Sequence, residues 1–261
     1  MIDKLTNPEF VKAIAALIAA LSWPILITLV LWLARDEIAS LISSIESLTL
    51  PGGSSVKFRR EVNKAVQESI AEEPPKDRLP TEKQFKVAER IGLLARDTDL
   101  SVVREQLSAF AAEYERIRAT MEAGHERTRR MEVVASKMRT LAVAALPLLD
   151  ELTASHSPGQ RLAAVTTLQV KPDPRFIDWL AERFSREAAP FVSYHAAVAL
   201  LTAARMGSEE IRPKVLSAIK LAKQRLGTGK EDTDRFQVLD TAERVLTSTQ
   251  ERGQQERSSD T

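Results

Sequence analysis

Three histidines, no cysteine and one acid-free run of bases set the chemistry open to this chain. Without cysteine there is no disulfide, thiolate zinc site, iron–sulfur cluster or thiol nucleophile. His125, His156 and His195 stand far apart, with no spacing that brings two imidazoles onto one metal. His195 follows Tyr194 and reads as a satisfied packing residue. Asp97, Asp99 and Ser101 begin like a calcium loop, but Val102 stands where that loop needs glycine. Gly227 to Lys230 ends like a phosphate loop. Glu231 replaces the required hydroxyl residue, however, and no strand precedes it. Ser54 with Lys57, and Ser217 with Lys220, have a serine–lysine spacing that arises by chance in a chain of this size. The expectation is a protein with no catalytic constellation, no cofactor and no metal.

Binding chemistry is better represented. From Ile211 to Lys230 there are six bases and no acid. Arg212, Lys220 and Lys223 fall within roughly 80° on a helix that turns ~100° per residue. With Lys214 and Arg225 they are the ligand candidates. Such a face suits the phosphates of a nucleotide, an oligonucleotide or an anionic bilayer. The plainer alternative is a solvated face balanced by acids on neighbouring helices. Arg127, Arg129 and Arg130 form a smaller cluster, diluted by Glu126 and Glu132.

The chain-wide averages hide a partition. The 261 residues carry a net charge of +1 with 44% hydrophobic residues, and the mean hydropathy is −0.18. Ala13 to Ala34 is nevertheless a run of 22 residues without a charge, bracketed by Lys12 and Arg35. The charged residues therefore make up about 31% of the remainder, high for a globular part. At ~1.5 Å per residue the run spans ~33 Å, enough for a bilayer core. It predicts one transmembrane helix and excludes a polytopic transporter. The short N-terminal tail is placed outside and the large charged remainder in the cytoplasm. Ala15, Ala16, Ala19 and Ala20 allow close helix approach. Ser22, Thr28 and the kinking Pro24 are the pore-lining candidates; the alternative is a plain anchor.

Positioning these residues requires helices, which the alanine-, leucine-, glutamate- and arginine-rich composition favours. The expected fold is all-α. Residues 1–35 hold the tail and span. An amphipathic neck over 36–71 includes a short β-hairpin around Pro51, Gly52 and Gly53, and a proline-rich linker covers 72–80. Residues 81–128 form long helices. Leu100, Val103, Leu107, Phe110, Tyr114, Ile117 and Met121 there make a heptad seam, read as one face of an intramolecular bundle. Residues 129–250 read as a HEAT-like stack of helical hairpins. Ser157–Pro158 and Asp173–Pro174 open helices, Gly207 closes one, and 251–261 is a disordered tail.

Several stretches resemble a helical module of bacterial conflict and antiviral proteins over about residues 111–206. They are Tyr114 to Met121, Arg127 to Glu132, Ser157 to Val165 with Leu168 and Gln169, Asp178 to Glu182, and Tyr194 to Ala197. The resemblance implies sensing or coupling rather than catalysis. Joined to a single span, the arrangement is similar to membrane effectors of antiphage systems, including the Hailong type. That likeness implies a homo-oligomeric ion channel, a tetramer, opened by a nucleotide signal from a nucleotidyltransferase partner. The rival is a membrane-tethered scaffold whose helical domain docks a protein.

Overall fold

The computed structural model describes residues 53–70, 79–226 and 233–259. The chain divides into two units, 1–53 and 54–261, and the helical domain is the second. The 13–34 run, with Ser22, Pro24 and Thr28, lies outside the described residues, as do residues 36–52 of the neck and most of the linker.

Among the described residues ten α-helices follow one another: α1 (Gly53–Ile70), α2 (Glu82–Ala95), α3 (Leu100–Thr120), α4 (His125–Thr140), α5 (Leu149–Ala154), α6 (Pro158–Val170), α7 (Ile177–Arg186), α8 (Pro190–Met206), α9 (Arg212–Leu226) and α10 (Asp234–Ser259). Short 3-10 turns at Leu146–Leu148 and Pro174–Phe176 lead into α5 and α7.

Their starts are set by side chains that satisfy orphan backbone donors. Thr81 and Gln84 form a reciprocal capping box at α2. The Asp99 carboxylate accepts from the Ser101 N–H at 2.8 Å. The Ser157 hydroxyl accepts from the Gln160 N–H at 3.1 Å, with Pro158 as the first helical residue. Asp173 does the same for the turn at Pro174, accepting from the Arg175 N–H at 2.9 Å.

The heptad seam of α3 faces inward. Val103, Leu107, Phe110, Tyr114 and Ile117 are buried, and Leu100 and Met121 pack at its ends. Helices α4 and α6 cover it. The intramolecular bundle is therefore the observed arrangement.

Three features of the expected fold are corrected. No helix among the described residues is long and apolar enough to cross a membrane, and the all-α architecture stands without a spanning element there. The hairpin is replaced by helix from Gly53 onward. Phe58, Val62, Ala65 and Val66 recur at helical spacing and are all buried, so burying one helical face outweighs the β preference of Val56 and Phe58. The HEAT-like stack gives way to packing around a central helix. Thirteen of the seventeen residues of α8 are buried, and it contacts α6, α7, α9 and α10. In a one-dimensional stack each helix keeps a solvated face; the near-continuous apolar run from Ala196 to Ala204 leaves α8 none. One boundary also shifts, and one expected helix end differs in backbone conformation only. Helix α10 continues to Ser259, through the expected tail. Gly207 ends α8 in extended rather than left-handed backbone.

Candidate functional site

Four polar residues are brought together inside the domain. Glu132 and Arg139 lie two turns apart on α4, Gln169 near the end of α6, and His195 early on α8. All four are under 10% exposed. Arg139 Nε donates to Gln169 Oε1 at 2.8 Å, and its Nη1 donates to Glu132 Oε1 at 3.1 Å. Gln169 Nε2 donates to the His195 carbonyl at 2.9 Å and lies 3.0 Å from His195 Nδ1. Arg139 Nη2 lies 3.4 Å from the same Nδ1. His195 Nε2 stands 3.1 Å from Glu132 Oε2, an off-line contact that is more electrostatic than directional.

This arrangement fixes the orientation of the Gln169 amide. Arginine only donates, so Gln169 must turn its oxygen to Arg139 and its amide nitrogen to His195. Arg139 and Gln169 both turn nitrogen donors to the Nδ1 side of the ring, and Nε2 faces the Glu132 carboxylate. Phe191 packs edge-on to the ring at 4.4 Å.

Burial alone would raise the Glu132 carboxyl; His195 and Arg139 outweigh it and bring it to about 2. A carboxylate depressed on folding adds stability above its unfolded pKa, and this is lost as pH falls through the folded value. Stability is therefore expected to drop between about pH 4.5 and pH 2. Urea midpoints taken across that interval check this. Glu132→Gln should be less stable at neutral pH and show a shallower acid slope. An unchanged slope would remove Glu132 from the account.

A second knot joins α3, α6 and α7. Glu115 Oε1 accepts from the Ser157 hydroxyl at 2.5 Å and from the Gly159 N–H at 3.1 Å, tying α3 to the start of α6. Arg161 grips Glu187 with two bonds of 2.7 and 2.8 Å. Tyr114 is wholly buried with its ring 5.8 Å from that of Phe191, and burial pushes its hydroxyl up to about 12. Trp179 Nε1 donates to the Thr153 carbonyl at 3.2 Å. Tyr114, Glu132, Arg161, Gln169, Trp179 and His195 all lie in the stretches that carry the resemblance. The fold brings those stretches into one contiguous framework.

The basic face is divided. Lys223 is held by Asp240 at 2.9 Å and Glu243 at 2.8 Å, both on α10, with the Phe236 ring 4.9 Å away. Lys214 bonds the Pro174 carbonyl at 2.8 Å and meets Asp178 at 3.3 Å. Lys220 and Arg225 are exposed and Arg212 half-buried, and none of these three forms an ion pair among the described residues. In the smaller cluster Arg129 and Arg130 both bond Glu126, and Arg127 bonds the Met121 carbonyl at 3.3 Å. His125 and His156 are exposed and separate, and no cluster of potential metal ligands occurs among the described residues.

Spacing alone does not reveal the buried quartet. Its signal in the sequence is the placement of Gln169 and His195 inside otherwise apolar runs, where a polar side chain must find a buried partner. Compared with known protein families, curated proteins and solved structures, the chain matches none.

Proposed function

We propose that the helical domain is the receiving and coupling module of a bacterial, membrane-attached, non-enzymatic effector, and that the part before Ser54 carries the output. The observation supporting this is the convergence of the resembling stretches on one buried framework. Glu132, Arg139, Gln169 and His195 lock α4, α6 and α8 in register, and Glu115 ties α3 to α6. Elements coupled this way respond together when a partner binds one of them, which suits transmission better than turnover. The uncharged 13–34 run supports attachment to the inner membrane. If the output is an ion leak it requires a homo-oligomer, because a single apolar segment offers ions no water path.

One observation favours a scaffold over a nucleotide receptor. Two of the five candidate cations, Lys214 and Lys223, are already paired with acids, leaving Arg212, Lys220 and Arg225 for an anionic ligand. Flux from liposomes carrying the full chain, measured with and without oligonucleotide signals, tests the conducting output. Replacing 13–34 by polyleucine separates the readings: a scaffold keeps its activity and a conductor loses it. A monomeric chain that releases no ions under any signal would sink the channel reading. Failure of the chain to associate with membranes would sink the attachment.

A further inference from the structure

A cleft of about 260 Å³ opens where α2, α6, α8 and the start of α9 meet. Its walls are Phe85, Val143, Val170 and Ile211, with Met206 at the mouth. Met206 is 55% exposed, an apolar side chain left in water beside an apolar hollow. The volume takes one or two large side chains and falls below that of ordinary small-molecule pockets. A nucleotide is therefore a poor occupant.

The rim says what accompanies the apolar group. Helices α6 and α8 both end here, at Val170 and Met206. Pro172 has no N–H with which to cap α6. The last carbonyls of both helices, at Val170 and Met206, accept no hydrogen bond from any described residue. Two helix C-termini bring partial negative charge to the same edge. Glu89 adds a full one, and it forms no ion pair among the described residues. Lys171 is the opposing charge on the rim, also without an ion-pair partner there.

We propose that this cleft docks a segment of a partner protein in which a large apolar side chain is followed by lysine or arginine. The apolar group enters between Phe85, Val143 and Ile211. The cation meets Glu89 and the free carbonyls. Met206 folds over the anchor, a role its flexible thioether suits. This inference rests on the receiving role proposed above and names the chemistry of the input.

The test uses the full chain with carbon-13-labelled methionine methyls. Of its five methionines, Met131 and Met138 are buried and serve as controls. Acetyl-Leu-Lys-amide should shift the Met206 methyl saturably while Met131 and Met138 stay still. Acetyl-Leu-Glu-amide and acetyl-Gly-Lys-amide should bind roughly tenfold more weakly, as should the lysine dipeptide to Glu89→Lys. Lys171→Glu should tighten binding. No shift at Met206 with any probe overturns the proposal. Equal shifts with the lysine and glutamate probes overturn its charge assignment. A Met206→Glu chain that loses the dipeptide but keeps its response to signal in the flux assay overturns the docking role and leaves the receiving role standing.

Discussion

Replacing Arg139 with alanine is expected to lower the stability of the domain by about 3–5 kcal/mol. The side chain is 2% exposed, and its guanidinium bonds Glu132 and Gln169 while facing His195 Nδ1. Removing it leaves a buried carboxylate without its cation and turns Gln169 Oε1 to an empty space. The cost is dominated by those stranded groups rather than by the bonds themselves, because desolvated polar groups without partners carry the full penalty. For a unit of this size the fall in Tm is roughly 6–20 °C. The double variant Arg139→Met with Glu132→Leu removes charge and countercharge together. It should recover more than half of the loss, since buried pairs exchange for apolar groups at little cost. Thermal unfolding of the two variants checks both statements. A double variant less stable than Arg139→Ala would show that the quartet contributes net stability instead of register. Arg139→Lys should fail to rescue, because an ammonium cannot reproduce the planar fork that serves Gln169 and Glu132 at once.

The quartet also shows where sequence reasoning stops. Helix starts are legible because capping is local: Thr81, Asp99, Ser157 and Asp173 each act on a donor two or three residues ahead. The seam of α3 is legible because its period is local too. The core polar contacts are not, since Arg139 to Gln169 and Gln169 to His195 are partnerships between different helices. A lone His195 beside Tyr194 gives no hint that Glu132, 63 positions earlier, faces it. The hairpin expectation failed for the opposite reason. Pro51, Gly52 and Gly53 are a strong local turn signal, but the apolar side chains that follow are used at helical spacing in the core. The basic run on α9 was legible as charge, whereas its neutralisation by Asp178, Asp240 and Glu243 depends on how α7 and α10 pack against it.

Gly159→Val is expected to cost about 3 kcal/mol, and the cause is steric alone. A Cβ at position 159 would lie 2.5 Å from the Ala111 carbonyl oxygen and 2.8 Å from its carbon and Cα. These are backbone atoms of α3, so no side chain can swing aside, and α6 must move away from α3. That movement also stretches the bonds from the Ser157 hydroxyl and Gly159 N–H to Glu115, and it unseats Leu162 and Val165, which are wholly buried. Gly159→Ala meets the same backbone atoms. Its effect should be smaller, because alanine regains up to about 1 kcal/mol of helix preference. Gly124→Ala is the control: a Cβ there meets nothing within 4 Å, its backbone is extended, and its change should stay within about 0.5 kcal/mol. Denaturant midpoints rank the three. Equal midpoints for Gly124→Ala and Gly159→Val would mean that α3 and α6 do not meet this closely in solution. Helix α3 would then lack its tie to the receiving module, and coupling along that route would fail with it.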